Sequence, residues 1–330
     1  MLAALVKEFG PPSSLVIEDV VDPTPSRGEV VIEVAAASVN FPDILVVEGT
    51  YQNLPKRPFS PGKEAAGQVV AVGGGVERIA VGQRVLALVE YGGYAEKIAV
   101  AEDLVMELPD GLSFEDAAAS GLVYTTAHFG LLRRGQLRPG ETVLVTGAGG
   151  GVGSAGVQLA KAYGARVIAL AQNDAKGELA RAQGADVVLT STPDTLRDDL
   201  LDATDGNGVD VVLEMLGGDF LTQIIRATAW EGRIVVVGFA SGSQNPIKPG
   251  HVLVKHISII GLQSSDYRDR TPELMRHTMA EVFGLLTAGK VTAAIDTTFS
   301  LERAGDALQY VKDGNARGKV VLTTGTGRST

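Results

Sequence analysis

The sequence predicts an α/β fold: a doubly wound parallel sheet inserted into a second, mostly β domain. Three observations predict it. Residues 142–146 form a short run rich in β-branched side chains, a glycine-rich turn follows, and Val152 to Tyr163 carries apolar residues at helical spacing. From 142 to 261 strand-like and helix-like segments alternate, which is the signature of repeated parallel βα units. The first 121 residues instead hold many short strand candidates separated by glycine and proline, as in a small barrel or sandwich.

Composition narrows the function classes. A chain of 330 residues is long for one core and suggests two domains. Its 45% hydrophobic and 21% charged residues are those of an ordinary globular protein. A net charge of −10 argues against nucleic acid or an anionic membrane as the main partner. With no cysteine, disulfides, thiolate-bound zinc and cysteine nucleophiles are excluded. The four histidines, His128, His251, His256 and His277, show no metal-ligand spacing. The opening Met1-Leu-Ala-Ala-Leu-Val-Lys7 reaches Glu8 too soon for a signal peptide. No apolar run approaches the ~20 residues that span a bilayer. The expectation is a cytoplasmic enzyme or binding protein.

Taken in order, the strand candidates of the first part are Leu2–Val6, Leu15–Asp19, Glu29–Val39, Gly67–Val72, Arg84–Ala87 and Gly93–Val100. A helical segment follows at Ser113–Gly121, with Ser113 as N-cap, and Thr125–Arg133 continues as helix. The linker Arg138-Pro-Gly-Glu141 leads to strands at 142–146, 166–171, 186–189, 209–214, 232–237 and 257–261. Helices are expected near 152–163, 175–183, 194–204 and 219–229. The chain then returns to mixed structure, with a helix from Pro272 to about Ala288, a strand at Ile295–Phe299, a short helix at 301–312 and a strand at Lys319–Thr323. Residues 1–121 and 268–330 are therefore assigned to one discontinuous domain, and 122–267 to the inserted one.

The turn Ala148-Gly149-Gly150-Gly151-Val152-Gly153 falls where a strand meets a helix N-terminus. The first N–H groups of a helix lack partners and its dipole is positive there, so Gly150, Gly151, Val152 and Gly153 form a candidate anion site. Glycine lets a pyrophosphate approach the backbone. The dinucleotide fingerprint G-x-G-x-x-G is matched with alanine in its first slot, and the next strand at 166–171 follows at the βαβ distance.

Over essentially its whole length the chain resembles the zinc-independent quinone oxidoreductase branch of the medium-chain dehydrogenase/reductase superfamily. The resemblance is carried by Ala37-Ser-Val-Asn-Phe-Pro-Asp43, Pro61-Gly-Lys-Glu-Ala-Ala-Gly67, Val81-Gly-Gln-Arg-Val85, Thr126-Ala-His-Phe129, the 148–153 loop and Gly314-Asn-Ala-Arg-Gly-Lys319. It implies a GroES-like catalytic domain, a Rossmann cofactor domain and a cleft between them. Zinc alcohol dehydrogenases have a cysteine where this chain has Asn40 and a histidine where it has Lys63, and no cysteine-rich lobe follows Tyr91-Gly-Gly-Tyr-Ala95. No metal is expected. Without a Lewis acid, alcohol oxidation is hard; reduction of an electron-poor acceptor is easier.

The resemblance places Asn40 near the nicotinamide ribose, although asparagine after a strand also does plain turn work, and Asp43 reads as a structural cap. It places Tyr51 by the nicotinamide, where a phenol can donate a hydrogen bond or a proton; the alternative is an exposed loop tyrosine. Lys63 either stabilises an enolate oxygen or points to solvent, and Glu64 is a candidate partner for it. Thr126 meets the carboxamide or bonds back within its helix. Cofactor choice rests on Ala171-Gln-Asn-Asp-Ala-Lys176, where the acidic position of an NAD site holds Ala171. Lys176 and Asn173 then favour NADPH over NADH, and Asp174 weighs against it or caps the next helix. Gly238, Phe239 and Ala240, with Gly261 and Leu262, sit at the carboxyl ends of strands where ligands bind in open α/β sheets, and Arg317 belongs to the last family stretch. The reading is an NADPH-dependent, metal-free reductase of quinones. Its alternatives are an enone or 2-enoyl reductase and a non-catalytic dinucleotide-binding or redox-sensing protein. The strand His256–Gly261 is expected at the sheet edge, open to pairing in a homodimer.

Overall fold

The structure is a computed structural model and describes residues 1–325. The chain forms two compact units, one made of Met1–Leu122 and the segment from Ser265 onward, the other of Val123–Ser264. The first unit starts with β1 (Leu2–Leu5) and β2 (Val16–Asp19), then β3 (Glu29–Val39), α1 (Phe41–Val47), β4 (Glu64–Val72), β5 (Arg84–Leu88), β6 (Lys97–Ala101) and β7 (Val105–Glu107). Helix α2 (Phe114–His128) carries the chain into the second unit. There follow β8 (Thr142–Thr146), α3 (Gly151–Ala162), β9 (Arg166–Leu170), α4 (Asp174–Ala182), β10 (Val187–Leu189), α5 (Pro193–Ala203), β11 (Val209–Glu214), α6 (Gly218–Ala227), β12 (Thr228–Val236), α7 (Pro249–Lys255) and β13 (Ser258–Gly261). The chain returns through α8 (Ser264–Arg270) to α9 (Pro272–Thr287), β14 (Ile295–Ser300), α10 (Ala304–Lys312) and β15 (Lys319–Thr323).

In the first unit β3 is the strand on which the rest is built. It pairs antiparallel with β4, β6 and β15, so it has no open edge and is apolar along most of its length. The sheet order is β14-β15-β3-β4-β5-β7, and the core gathers Ile32, Val34, Ile44, Val85, Leu308 and Leu322. Pairing of β15 with β3 ties the end of the chain to its beginning.

The second unit is a six-stranded parallel sheet in the order β10-β9-β8-β11-β12-β13. The chain enters at β8, winds outward to β10, then returns beside β8 and winds the other way. The reversal falls between β8 and β11, which is where open α/β sheets bind ligands at the carboxyl ends of their strands. Strands covered on both faces must be apolar throughout, which is why Val143–Val145, Val167–Leu170 and Val211–Leu213 read as continuous buried runs.

Several elements differ from the sequence expectation for identifiable reasons. The helix expected to continue through Thr125–Arg133 does so as α2 only to His128, and then gives way to a π-helical turn at Phe129–Arg134. Gly121 does not break α2: a β-carbon there would stand 2.4 Å from Glu64 Oε2, so the glycine permits close approach. Ser113 Oγ accepts the Asp116 N–H at 3.0 Å, in keeping with its expected cap role. Helix α1 begins where a turn was expected; seven residues, mostly apolar, offer no helical stripe to detect. The same brevity hid β7 and α7.

Candidate functional site

The second unit contributes an anion-receptive edge. Gly150 is the residue before α3 and provides no side-chain cap, so the N–H groups of Gly151, Val152 and Gly153 face outward for an acceptor. The turn is tight, with Gly150 N–H bonded to the Gly147 carbonyl at 2.9 Å. At Gly153 a β-carbon would come within 2.2 Å of the Gly147 oxygen; only glycine lets helix and strand meet this closely.

Lys176 lies beside this turn. Its methylenes lie against Gly149, where a β-carbon would meet them at 2.5 Å, and its Nζ donates to Gln172 Oε1 at 3.0 Å. Partial burial lowers its pKa. Asn173 is the N-cap of α4, its Oδ1 accepting the Lys176 N–H at 3.0 Å, so its amide N–H groups remain as donors. Asp174 is therefore not the cap; it is the first helical residue and is exposed. Ala171, at the end of β9, is buried and carries no charge toward this corner.

Gly238, Phe239 and Ala240 leave the carboxyl end of β12, and Ala240 N–H bonds to the Met215 carbonyl at 2.8 Å. Leu262 N–H bonds to the Val236 carbonyl at 3.0 Å just past β13. These loops and the 147–153 turn share the same edge of one parallel sheet. Thr126 is 5% exposed and donates to Ser264 Oγ at 2.9 Å, a partner beyond its own helix. Sequence reasoning missed Glu214, fully buried at the end of β11, whose carboxylate accepts the Leu216 and Gly217 N–H groups at 2.8 and 3.0 Å and shapes this edge. Burial raises its pKa.

In the first unit, buried polar side chains surround the end of β3. Asn40 is the residue before α1; its own N–H is accepted by Asp43 Oδ2 at 2.9 Å. Its side chain is fully committed. Nδ2 donates to Glu64 Oε1 at 2.9 Å and Ser38 Oγ at 3.2 Å, while Oδ1 accepts from Lys319 Nζ at 2.6 Å. Glu64 is 0% exposed and also accepts the Ser38 hydroxyl and, at 2.6 Å, the Leu122 N–H. Asp43 Oδ2 takes the Tyr94 hydroxyl at 2.9 Å, and burial raises the Asp43 carboxyl to about 6 against the pull of the Lys63 ammonium.

Lys63 is turned inward. It is 4% exposed, its Nζ donates to Glu90 Oε1 at 2.6 Å, and it sits 4.5 Å from the centre of the Tyr51 ring. Glu64 is not its partner: its carboxylate is taken by Ser38, Asn40, Leu122 N–H and Lys319, and Lys63 Nζ by Glu90. The structure thus brings Tyr51 to Lys63 and Asn40 to Lys319. Arg317 is exposed, with its backbone N–H bonded to Asp296 Oδ2 at 3.1 Å. Lys319, Ser38, Tyr94, Glu90 and Arg268 went unassigned in the sequence; a lysine opening the apolar strand Lys319–Thr323 was the one available signal. Among the described residues, no group of three or more His, Asp or Glu side chains is placed to hold a metal ion.

Comparison with known proteins bears on the fold and the family. Residues 26–110 match the family model for the alcohol dehydrogenase GroES-like domain, and residues 151–281 that for the zinc-binding dehydrogenase. A quinone oxidoreductase-like protein 2 homolog of Nematostella vectensis is 36% identical over 327 residues, covering 98% of this chain and 88% of that one. The quinone oxidoreductase of Rattus norvegicus is 33% identical over 325 residues, covering 98% and 97%. Among solved structures, mycobacterial Rv1454c complexed with NADPH superimposes with a TM-score of 0.91 at 32% identity, covering 98% of this chain and 100% of that one. A Rossmann-like parallel sheet, a GroES-like unit and full-length relatives of this kind make the chain a member of the medium-chain dehydrogenase/reductase superfamily, among its quinone oxidoreductase-like proteins.

Proposed function

We propose that the protein is an NADPH-dependent oxidoreductase that needs no metal ion and reduces quinones or related electron-poor acceptors by direct hydride transfer. The observation that carries this reading is the pair Asn40 and Lys63. They stand where zinc alcohol dehydrogenases have a cysteine and a histidine, and their polar atoms are bound to Glu64, Lys319 and Glu90. An ammonium in an ion pair is no metal ligand, and an amide saturated on both ends is a poor one.

Bound NADPH supplies the hydride. The α3 N-terminus at Gly151–Gly153 would hold its pyrophosphate, and the tight Gly147–Gly153 approach fits that role because any side chain would fill the cradle. Lys176 and the Asn173 amide would hold the ribose phosphate, with no carboxylate at Ala171 to repel it. Thr126, Gly238–Ala240, Gly261 and Leu262 would line the nicotinamide, and Arg317 would add a charge to the cofactor. Tyr51 would donate a proton or hydrogen bond to the acceptor oxygen as it gains charge, and the Lys63 ammonium would stabilise that charge. Asn40, held by Lys319, would meet the ribose side.

The test is NADPH consumption with a quinone panel beside an enone panel, with and without a chelator. Quinones are expected to turn over faster, and the chelator to change nothing. Faster turnover of enones moves the substrate to activated alkenes, and NADPH binding without turnover of either makes the protein a non-catalytic binder. In the same assay Lys176→Ala is expected to raise the KM for NADPH about 10-fold, the scale of ~1.4 kcal/mol, and the KM for NADH far less. Equal effects on both refute the phosphate role.

The quaternary part of the proposal is a homodimer. Strand β13 ends the sheet, and the adjoining α7 exposes Leu253 and Val254 at 74% and 71%. Light scattering at micromolar concentration is expected to give twice the 34.3 kDa chain mass; a monomer ends the idea.

A further inference from the structure

A buried line of charge runs from Arg268 through Glu90 to Lys63, and the proposed function leaves its first two members without a task. Arg268 on α8 is 7% exposed, and its Nη2 donates to Glu90 Oε2 at 2.9 Å. Its outer side is held by Asp269, at 2.6 Å from Nε. The other Glu90 oxygen accepts from Lys63 Nζ at 2.6 Å, and the Glu90 backbone carbonyl lies 3.3 Å from the same nitrogen. One carboxylate therefore holds two buried cations, one on each oxygen. Solvent reaches this carboxylate through a cavity of about 310 Å³ lined by Asn53, Glu90, Tyr91, Leu104, Arg268 and Asp269.

A lysine stem is long and flexible, and an unpaired ammonium turns to water when it can. Lys63 does the opposite, lying against the Tyr51 ring. A lone Glu90–Lys63 pair would cancel most of the field felt beyond it. With Arg268 on the other oxygen, and Asp269 balancing Arg268 in turn, the Glu90 charge is shared between two cations and Lys63 is neutralised less completely than in a lone pair. Arg268 also gives Glu90 a second charge-assisted contact, so the carboxylate is held at both oxygens rather than at one.

We propose that Glu90, backed by Arg268, is a positioning residue that fixes the Lys63 ammonium against Tyr51, so that the two side chains act together on the oxygen of the acceptor. This rests on the functional reading above for the acceptor, and on the described contacts alone for the clamp. The experiment therefore has two readouts. Amine-reactive labelling of the full-length protein, followed by mass spectrometry of the Lys63 peptide, reads the clamp without any substrate. Steady-state kinetics with NADPH and the best quinone read its use.

Glu90→Gln is expected to speed Lys63 labelling and to lower kcat by the order of 10-fold to 100-fold, with the KM for NADPH unchanged. Lys63→Met should cost a similar factor in kcat, Glu90→Gln should add little in that background, and Lys63→Arg should keep part of the rate. Unchanged labelling in Glu90→Gln overturns the clamp. A freed Lys63 with full kcat overturns its role in the reaction. If the wild-type protein turns over no acceptor, the functional reading fails while labelling still decides the clamp.

Discussion

Replacing Lys319 by methionine is expected to destabilise the first unit by about 3–5 kcal/mol, the usual result of removing one member of a buried ion pair. Lys319 is 5% exposed and Glu64 0%, with 3.7 Å between Nζ and Oε1. Methionine keeps all but the terminal atom of the side chain's length, so the loss is mainly electrostatic rather than a cavity. It strands the Glu64 carboxylate without a cation and leaves Asn40 Oδ1 without its donor at 2.6 Å. Burial already pulls the Lys319 pKa down, with Glu64 and Asp43 opposing, which marks the cation as costly to bury and held by those carboxylates. Adding Glu64→Gln should recover much of the loss, because an amide needs no counter-charge and still accepts from Leu122 N–H. Urea denaturation of the two single variants and the double gives the coupling. A Lys319→Met loss below about 1 kcal/mol, or strict additivity, would show that the pair contributes nothing beyond its volume.

How much of this was legible in the sequence follows from the range of the forces involved. The parallel sheet could be read because each strand carries its own signal: Val143–Val145 and Val211–Leu213 are apolar whatever lies beside them. The 148–153 turn could be read because its glycines answer to steric demands within a few residues. The polar site could not. Asn40 is fixed by a lysine 279 residues later, Lys63 by a glutamate 27 residues later, and that glutamate by an arginine 178 residues beyond it. Nothing local tells an inward lysine from a solvated one, so Lys63 stayed open between two readings and Glu90 was not noticed. Gly121 shows the same limit: its purpose appears only when Glu64 from another element packs against it.

The stability of the wild type relative to Asp43→Asn is expected to fall by about 2.4 kcal/mol as pH rises from 4 to 7. Asp43 is 1% exposed, and burial raises its carboxyl from 3.8 to about 6 in the folded protein. Below 3.8 both the folded and unfolded chains carry the proton, and the group adds no pH dependence. Between 3.8 and about 6 the unfolded chain has released the proton while the folded one retains it, so the folded state binds more protons and loses stability with rising pH. Above about 6 both are ionised and the full cost of the buried charge remains. An asparagine carries no proton to lose, yet still offers an oxygen to the Asn40 N–H or the Tyr94 hydroxyl, the two donors that Asp43 satisfies at 2.9 Å each. Other carboxylates, such as Glu141 and Asp186, whose hydrogen bonds and ion pairs lower their pKa against burial, push the total curve the opposite way. Only the difference between the two proteins isolates Asp43, and urea midpoints at a series of pH values measure it. A difference that stays flat across this window would mean that Lys63 and the two donors hold Asp43 ionised throughout, and the same buried ammonium would then be serving a carboxylate as well as Tyr51.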